Sequence, residues 1–543
     1  MVRKTSPRWL APALVAAVAL LGSGCFGSEP NDRSRASNSA QSRGVVAAAT
    51  SDAVSFHPYK VSDTASREYG GLVYGGGMIE SDPQDPSKYR GYFAESWSVG
   101  DDQVTYTFTL RPNLVWSDGQ PLTAQDFKWT YDQASNPANG WPYISNLEHV
   151  QSYDAVDDRT IVVRLTEPLA VGLEMADAIS PPLPKHIWEK LDWSDSERNP
   201  EINKPTVGAG PFQLQDWQRD AQVTFVANDR FFKGRPKLDT YTIRIAGNPT
   251  VAFEWLKAGE VDRYAFQPDK YDEAKRLDSI NVYEWWPATG DWAYIGYNLR
   301  RPVLQDVQVR QALAYAVDQN IIIDKVMEGL AQPTYSAYGP TCWCYNPDVP
   351  HRDYDLARAR QMLEDAGWRL GPDGIRVKDG QKLQLQLMYG PNSNRAREKI
   401  AAIVQDSYKQ IGVGVDIRTL EWAAYLSALR TEPFDWDMYV GGWSATIDPY
   451  WMYQIWSADN IPALNAGAYK NPEVEDLFQK GAKVFDQAQR KAIYGQIQGI
   501  LVQDQPYIFL YMNKAYEGVS KRIGGIEPST LGIDWNLEQW YLK

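Results

Sequence analysis

Apolar residues recur with two different periods along this chain, and the mixture restricts its fold class more than any other feature. Residues 104–110 (VTYTFTL) alternate strictly, which is typical of a half-buried strand. Residues 306–317 instead carry an apolar stripe at helical spacing, with Asp306 as a cap. The same criteria predict strands at 45–49, 161–165, 383–387 and 507–511, and helices starting at Thr123 and Asp355 and spanning 395–410 and 486–503. Strands and helices mix throughout, so we predict an α/β (α+β mixed) fold.

Local signals fix where two of these helices begin and end. Thr123 followed by Asp126 resembles a capping box, in which each residue satisfies a backbone N–H of the first turn. Asp355 is placed to cap the later helix, and Gly367 follows its last periodic residue as a stop.

Length and composition narrow the class of protein. A chain of 543 residues is too long for one ordinary core and indicates two or three lobes. Its 21 Trp, 32 Tyr and 15 Phe argue against disorder. The formal net charge of −13 argues against nucleic acid or anionic lipid as the main partner.

The first 24 residues have the composition of an export signal. Basic residues precede a short apolar run, 10–21, and small residues then lead to Cys25, as in a bacterial lipobox. We expect cleavage before Cys25 and lipidation of its thiol, although Gly22 departs from the usual Leu or Val. A plain secretory signal with an incidental cysteine is the alternative. Residues 25–43 are polar and aperiodic, which predicts a disordered tether, and no later segment is long and apolar enough to span a membrane.

Chemistry-bearing motifs are scarce. Only Cys342 and Cys344 follow Cys25, which excludes a four-cysteine zinc site and leaves a local disulfide and two free thiols equally open. The four histidines are scattered, and no nucleotide-binding loop, zinc-protease motif or nucleophile elbow occurs. We therefore predict no catalytic residues, no metal and no cofactor.

Five blocks, in order, resemble the family 5 bacterial extracellular solute-binding proteins, the dipeptide, oligopeptide and nickel group. The resemblance runs from about Val45 to the C-terminus. The blocks are Ala94–Trp97 with residues 105–131, residues 207–212 with 228–236, residues 256–262, residues 296–298 with 309–318, and residues 354–368.

The resemblance implies a two-lobed fold like that of the periplasmic binding proteins (class II, cluster C). It implies a first lobe built from residues 44–77, 208–292 and 512–543, a small inserted subdomain at 78–207, and a second lobe at 293–511. Two crossovers between the lobes would permit hinge closure around a ligand.

The resemblance also indicates where a ligand would bind. In the peptide binders a Gly-Trp pair precedes an Asp that binds the peptide's ammonium group. Here Gly442-Trp443 is followed by Ser444 and, at the Asp position, by Thr446, with Asp448 two residues later. A buried ammonium without a carboxylate would be costly, so Thr446 weakens the free-peptide hypothesis.

Aromatic residues are dense in the same region, which suits stacking on sugar rings. Most tryptophans are core residues in such proteins, but we expect Trp422, Trp443 and Trp451 to line the cleft. The other candidate ligand contacts are Tyr297, Asn298 and Arg395. Tyr297 and Asn298 could instead belong to a structural strand motif, and Arg395 to a solvated helix face.

We therefore predict an exported, lipid-anchored, monomeric binding protein of an ABC importer, working with a permease and separate ATPase subunits. The ligand is a short peptide or, alternatively, an oligosaccharide. Two hypotheses from other classes remain open: a secreted glycoside hydrolase, with paired carboxylates across a cleft, and a surface sensor without transport.

Overall fold

The structure, a computed structural model, describes residues 44–61, 63–390, 395–444 and 446–543. The expected export signal, the tether and Cys25 lie outside the described residues. The body has the predicted two-lobed α/β fold. In one lobe a seven-stranded and a four-stranded sheet share an apolar core. In the other lobe a six-stranded sheet contributes to two separate clusters of buried apolar residues.

The seven-stranded sheet joins segments that are far apart in sequence. Gly44–Ala49 is parallel to both of its neighbours, whereas the outer pairs are antiparallel. Parallel neighbours need long crossover connections, and these connections supply much of the lobe. Across the sheet the strands are Ile280–Trp285, Ala515–Ser520, Arg263–Tyr264, Gly44–Ala49, Thr240–Ile245, Gln222–Ala227 and Phe212–Gln218.

The six-stranded sheet is the framework of the second lobe. Asp291–Tyr297 lies between two antiparallel neighbours, and Gln384–Tyr389 is parallel to both of its own. Across the sheet the strands are Ala331–Pro333, Tyr507–Asn513, Asp291–Tyr297, Met438–Ser444, Gln384–Tyr389 and Gly414–Thr419. The chain passes between the seven- and six-stranded sheets at residues 286–290 and again at Lys514.

The four-stranded sheet is antiparallel, in the order Ala94–Val99, Thr105–Leu110, Thr160–Leu165 and Val150–Ala155. Three small sheets complete the strands: Ile79–Ser81 with Tyr89–Gly91, Ile523–Gly524 with Tyr541–Leu542, and Arg369–Leu370, Arg376–Lys378 and Gln381–Lys382.

The α-helices of the described residues all lie between strands along the chain. They are Thr64–Tyr74, Ala124–Ala134, Gly172–Ala176, Lys185–Trp188, Pro249–Ala258, Tyr271–Lys275, Pro302–Gln305, Val307–Tyr315, Gln319–Val326, Leu356–Asp365, Ala396–Gln410, Trp422–Arg430, Tyr453–Trp456, Pro472–Lys483 and Gln487–Asp504.

The predicted helix caps are present. Thr123 and Asp126 form a complete capping box at the start of Ala124–Ala134. Asp355 accepts a hydrogen bond from the backbone N–H of Arg358 at 2.9 Å, and Gly367 has the left-handed φ of +86° that a helix stop requires.

The two cysteines of the second lobe are bonded to each other. Cys342 and Cys344 form a disulfide with their Cα atoms 5.1 Å apart, and Cys344 is fully buried. The disulfide is therefore the correct one of the two alternatives that the sequence leaves open.

Candidate functional site

A cavity of about 430 Å³ lies between the part of the chain that carries the four-stranded sheet and the second lobe. We call it the cleft cavity. One wall comes from residues 79–81, Tyr89 and residues 174–180, and the other from residues 446–451, with Thr289 of a crossover between them. A cavity of this size suits a small ligand, because drug-sized ligands occupy sites of about 300–1,000 Å³.

The second-lobe wall is organised by a buried ion pair. Asp448 caps the short turn that begins at Pro449 by accepting from the N–H of Tyr450 at 2.9 Å. Both of its oxygens also accept from the guanidinium of Arg490, at 2.7 Å each. Because this bidentate pair already neutralises Asp448, its carboxylate is not free to replace the missing Asp at position 446. Thr446 lines the cavity and donates its hydroxyl to the carbonyl oxygen of Asp448 at 2.7 Å.

The opposite wall carries two carboxylates on one short helical segment. Glu174 lies in the helix Gly172–Ala176, and Asp177 follows directly after it. Asp177 accepts from the backbone N–H groups of Met78 at 2.7 Å and Ile79 at 3.1 Å, which holds the adjacent strand in place.

Glu174 joins the two walls. One of its oxygens accepts from the indole Nε1 of Trp451 at 2.6 Å, and the other accepts from the hydroxyl of Tyr89. Nearby, the chain makes two more contacts across the lobes: Lys483 pairs with Glu167 at 2.7 Å, and the N–H of Ala170 donates to the carbonyl of Ala482 at 2.6 Å. The walls therefore meet through direct polar bonds.

Burial dominates the electrostatics of this wall. It raises the pKa of Glu174 to about 7, with the Asp448 carboxylate adding to the shift and the two donors opposing it. Burial alone raises the pKa of Asp177 to about 8, against the two backbone donors. A carboxyl group whose pKa is raised in this way has no positive charge nearby that is sufficient to stabilise its ionised form.

The predicted aromatic contacts occupy different places. Trp451 lines the cleft cavity. Trp443 is half-buried on the strand Met438–Ser444 and does not line this cavity. Trp422 is 42% exposed and stacks on Tyr425, with ring centroids 5.4 Å apart, under the guanidinium of Arg397. Neither Trp443 nor Trp422 is therefore brought to the cavity that Trp451 lines.

The remaining candidates lie outside the lining of the cleft cavity. Tyr297 and Asn298 are fully buried, and their side chains donate to backbone carbonyls of the second lobe. Ser444 donates to Asp291 at 2.6 Å, which ties two strands of the six-stranded sheet. Arg395 is exposed and pairs with Glu398 at 2.6 Å, so its solvated interpretation is the one that fits. None of these side chains lines the cleft cavity.

Sequence reasoning missed Glu174, Asp177 and Tyr89. The chain has 68 acidic residues, and nothing in the spacing of Glu174 and Asp177 distinguishes them from carboxylates on a solvated helix face. Only the folded chain brings Trp451, from far along the sequence, against Glu174.

The described residues lack both a candidate metal-binding group and a candidate membrane-spanning helix. They contain no group of three or more His, Cys, Asp or Glu side chains arranged to hold a metal ion. They also contain no helix that is both long and apolar enough to cross a bilayer.

Comparisons with known proteins agree with the fold. Residues 88–462 match the model of the bacterial extracellular solute-binding proteins, family 5. The oligopeptide-binding protein AppA of Bacillus subtilis is 29% identical, with 99% of both chains covered. The dipeptide-binding protein of Escherichia coli is 28% identical, over 81% of this chain and 84% of that one. The structure of the Bacillus subtilis protein with a nonapeptide superimposes with a TM-score of 0.79 at 28% identity, covering 92% of this chain and 99% of that one.

Proposed function

Because the chain belongs to family 5 of the bacterial extracellular solute-binding proteins, we propose that it captures a short peptide outside the cell and delivers it to an ABC importer. One observation carries the choice of ligand: the cleft cavity is walled by both lobes and contains carboxylates, but none of the described residues that line it is basic. Such a cavity suits a solute with a positive charge, which every free peptide has at its amino terminus.

The placement of the two walls supports the proposal that the protein captures its ligand by closure. A ligand favours the closed state only if it contacts both lobes there, because its differential affinity sets the population shift. Residues 446–451 and 174–180 offer such contacts from opposite sides. A permease would then distinguish the loaded from the empty protein by their different shapes.

The finer organisation belongs to this proposal. We place the first lobe at 44–77, 208–292 and 512–543, the inserted subdomain at 78–207 and the second lobe at 293–511. Export through residues 1–24, lipidation at Cys25 and a tether over 25–43 would hold the protein beside its permease and separate ATPase subunits. A monomer suffices, since the cavity is built within one chain.

An oligosaccharide is the second candidate, favoured by the aromatic side chains of Tyr89 and Trp451 at the cavity. The indole N–H of Trp451 already donates to Glu174, and a neutral sugar would leave Glu174 and Asp177 without a cationic partner. Membership of a family of binding proteins decides against the glycoside hydrolase hypothesis.

Thermal-shift measurements separate the two ligands. The mature protein would be heated with pools of free di- to nonapeptides and, in parallel, with cello-, xylo- and manno-oligosaccharides. A true ligand at 100 times its Kd stabilises the folded state by about 2.7 kcal/mol. We expect the peptide pools to raise Tm and the saccharides to leave it unchanged. Stabilisation by saccharides alone would replace the peptide proposal with the sugar one.

A further inference from the structure

Four carboxylates line the cleft cavity, and two of them have strong cationic partners among the described residues. Glu80 forms ion pairs with Arg90 and Lys233, each at 2.9 Å. Asp448 is held by both arms of Arg490. These two acids are therefore neutralised inside the protein.

Glu174 and Asp177 have no such partner in the described part of the chain. The donors to Asp177 are two backbone N–H groups, which use one lone pair of each oxygen. The donors to Glu174 are the neutral hydroxyl of Tyr89 and the neutral indole of Trp451. A carboxylate has about four acceptor positions, so Glu174 keeps capacity for further donors.

The positive charge of Arg490, on the opposite lobe, does not compensate the negative charge of Glu174. Arg490 is turned toward Asp448, and the repulsion from Asp448 contributes more to the raised pKa of Glu174 than Arg490 contributes to lowering it. An ionised carboxylate in such surroundings gains much from a cation that enters the cavity.

We propose that Glu174 is the residue of this chain that receives a cationic group of the solute, an ammonium or guanidinium, in the cleft cavity. Its hydrogen bonds to Tyr89 and Trp451 orient the carboxylate, and the bond to Trp451 means that the solute is bound where the two lobes meet. Glu174 thereby determines charge specificity. This inference rests on the proposed function and assigns the residue that carries its selectivity.

The test uses three synthetic pentapeptide pools. The first lacks Lys, Arg and His and has free amino termini. The second has the same sequences with acetylated amino termini. The third is acetylated but has one lysine per peptide. Binding of each pool to the mature wild-type protein and to Glu174→Gln would be quantified by native mass spectrometry at pH 8. Glutamine has nearly the same shape and keeps polar partners for Tyr89 and Trp451.

We expect the wild type to bind the first pool about tenfold to about a hundredfold more tightly than the second, the size of a charge-assisted hydrogen bond. Glu174→Gln should reduce this ratio to about threefold or less, and Glu174→Asp should restore part of it. The third pool identifies the source of the charge: tight binding there means that a side-chain amine also serves, and weak binding means that the terminal ammonium is needed.

Glu167→Gln is the matched control, since it removes a carboxylate that contacts Lys483 across the lobes but does not line the cavity. It should weaken all pools by the same factor. If Glu174→Gln behaves in the same way, leaving the ratio unchanged, Glu174 is only a contact between lobes and the inference is wrong. If no pool binds to the wild type, the proposed function itself fails, and this inference fails with it.

Discussion

At the scale of single residues, Glu174 combines a partly buried position with a charge that the described residues do not neutralise. Tyr89, Asp448 and Arg490 face it from three other elements, and Asp177 follows on its own segment. The ligand-free protein therefore holds a proton on Glu174 at a pH where an exposed glutamate has lost it.

Replacing Glu174 with Gln should stabilise the ligand-free protein increasingly as the pH rises from about 5 to about 8. The pKa of Glu174 is about 7 in the folded state against an ordinary 4.5. Its contribution to folding stability is therefore fully present below pH 4.5, the pKa of the unfolded state. This contribution is lost as the pH rises through the pKa of the folded state. Glutamine cannot ionise, so the variant loses no folding stability at this position as the pH rises. Tm values of both proteins across this range test the expectation, and a difference in Tm that does not change with pH would contradict it.

Removing one partner of the Asp448–Arg490 pair should lower the free energy of unfolding far more than removing both charges. Arg490→Met leaves a buried carboxylate unpaired, and we expect the free energy of unfolding to fall by about 3–5 kcal/mol. The double variant Asp448→Asn, Arg490→Met keeps an acceptor for the N–H of Tyr450 and should recover part of this loss. Denaturant titrations of both variants measure the two values. A double variant no more stable than the single one would show that the charge of Asp448 is compensated elsewhere.

Individual site residues were only partly predictable. Trp451 follows from the resemblance and from aromatic density, because both place residues 443–451 near a cleft. Glu174 and Asp177 could not be identified, since their significance depends on which donors surround them after folding. Asp448 is a candidate ligand contact in the sequence analysis, but its pairing with Arg490, 42 positions away, has no local signal.

At the scale of elements, short-range signals were reliable. The caps at Thr123, Asp306 and Asp355 depend on contacts within one turn, so the sequence alone determines them. Sheet order depends on distant segments: nothing near Gly44–Ala49 indicates that its neighbour is Thr240–Ile245. Only the family resemblance predicted that the first lobe is built from separate stretches of chain, and the seven-stranded sheet does join segments that are far apart in sequence.

Thr123→Ala should destabilise the lobe that contains the four-stranded sheet by about 1 kcal/mol, because it removes the side-chain acceptor of an N-cap. Thr123→Ser retains the hydroxyl and serves as the control. Urea unfolding followed by circular dichroism compares the two variants. Equal loss in both would mean that the methyl group, not the cap, is what stabilises this helix.

At the scale of the whole molecule, the proposed capture requires two lobes that close on a solute. The structure has them in contact through Trp451–Glu174, Lys483–Glu167 and Ala170–Ala482. The Lys483–Glu167 pair is solvent-exposed and contributes little, so these few contacts are weak compared with the ligand contacts that a filled cavity would add. We therefore expect the empty protein to populate open arrangements as well, and a solute that touches both walls to favour the closed one.

The most direct measurement is the distance between the lobes with and without peptide. Spin labels at Val156→Cys and Phe485→Cys, two exposed positions on opposite lobes, would report it by double electron–electron resonance. We predict a broad distance distribution in the ligand-free protein, which becomes narrower and shifts to shorter distances when a free-amine peptide is added at about 100 times its Kd. A distribution that stays the same with bound peptide would contradict capture by closure.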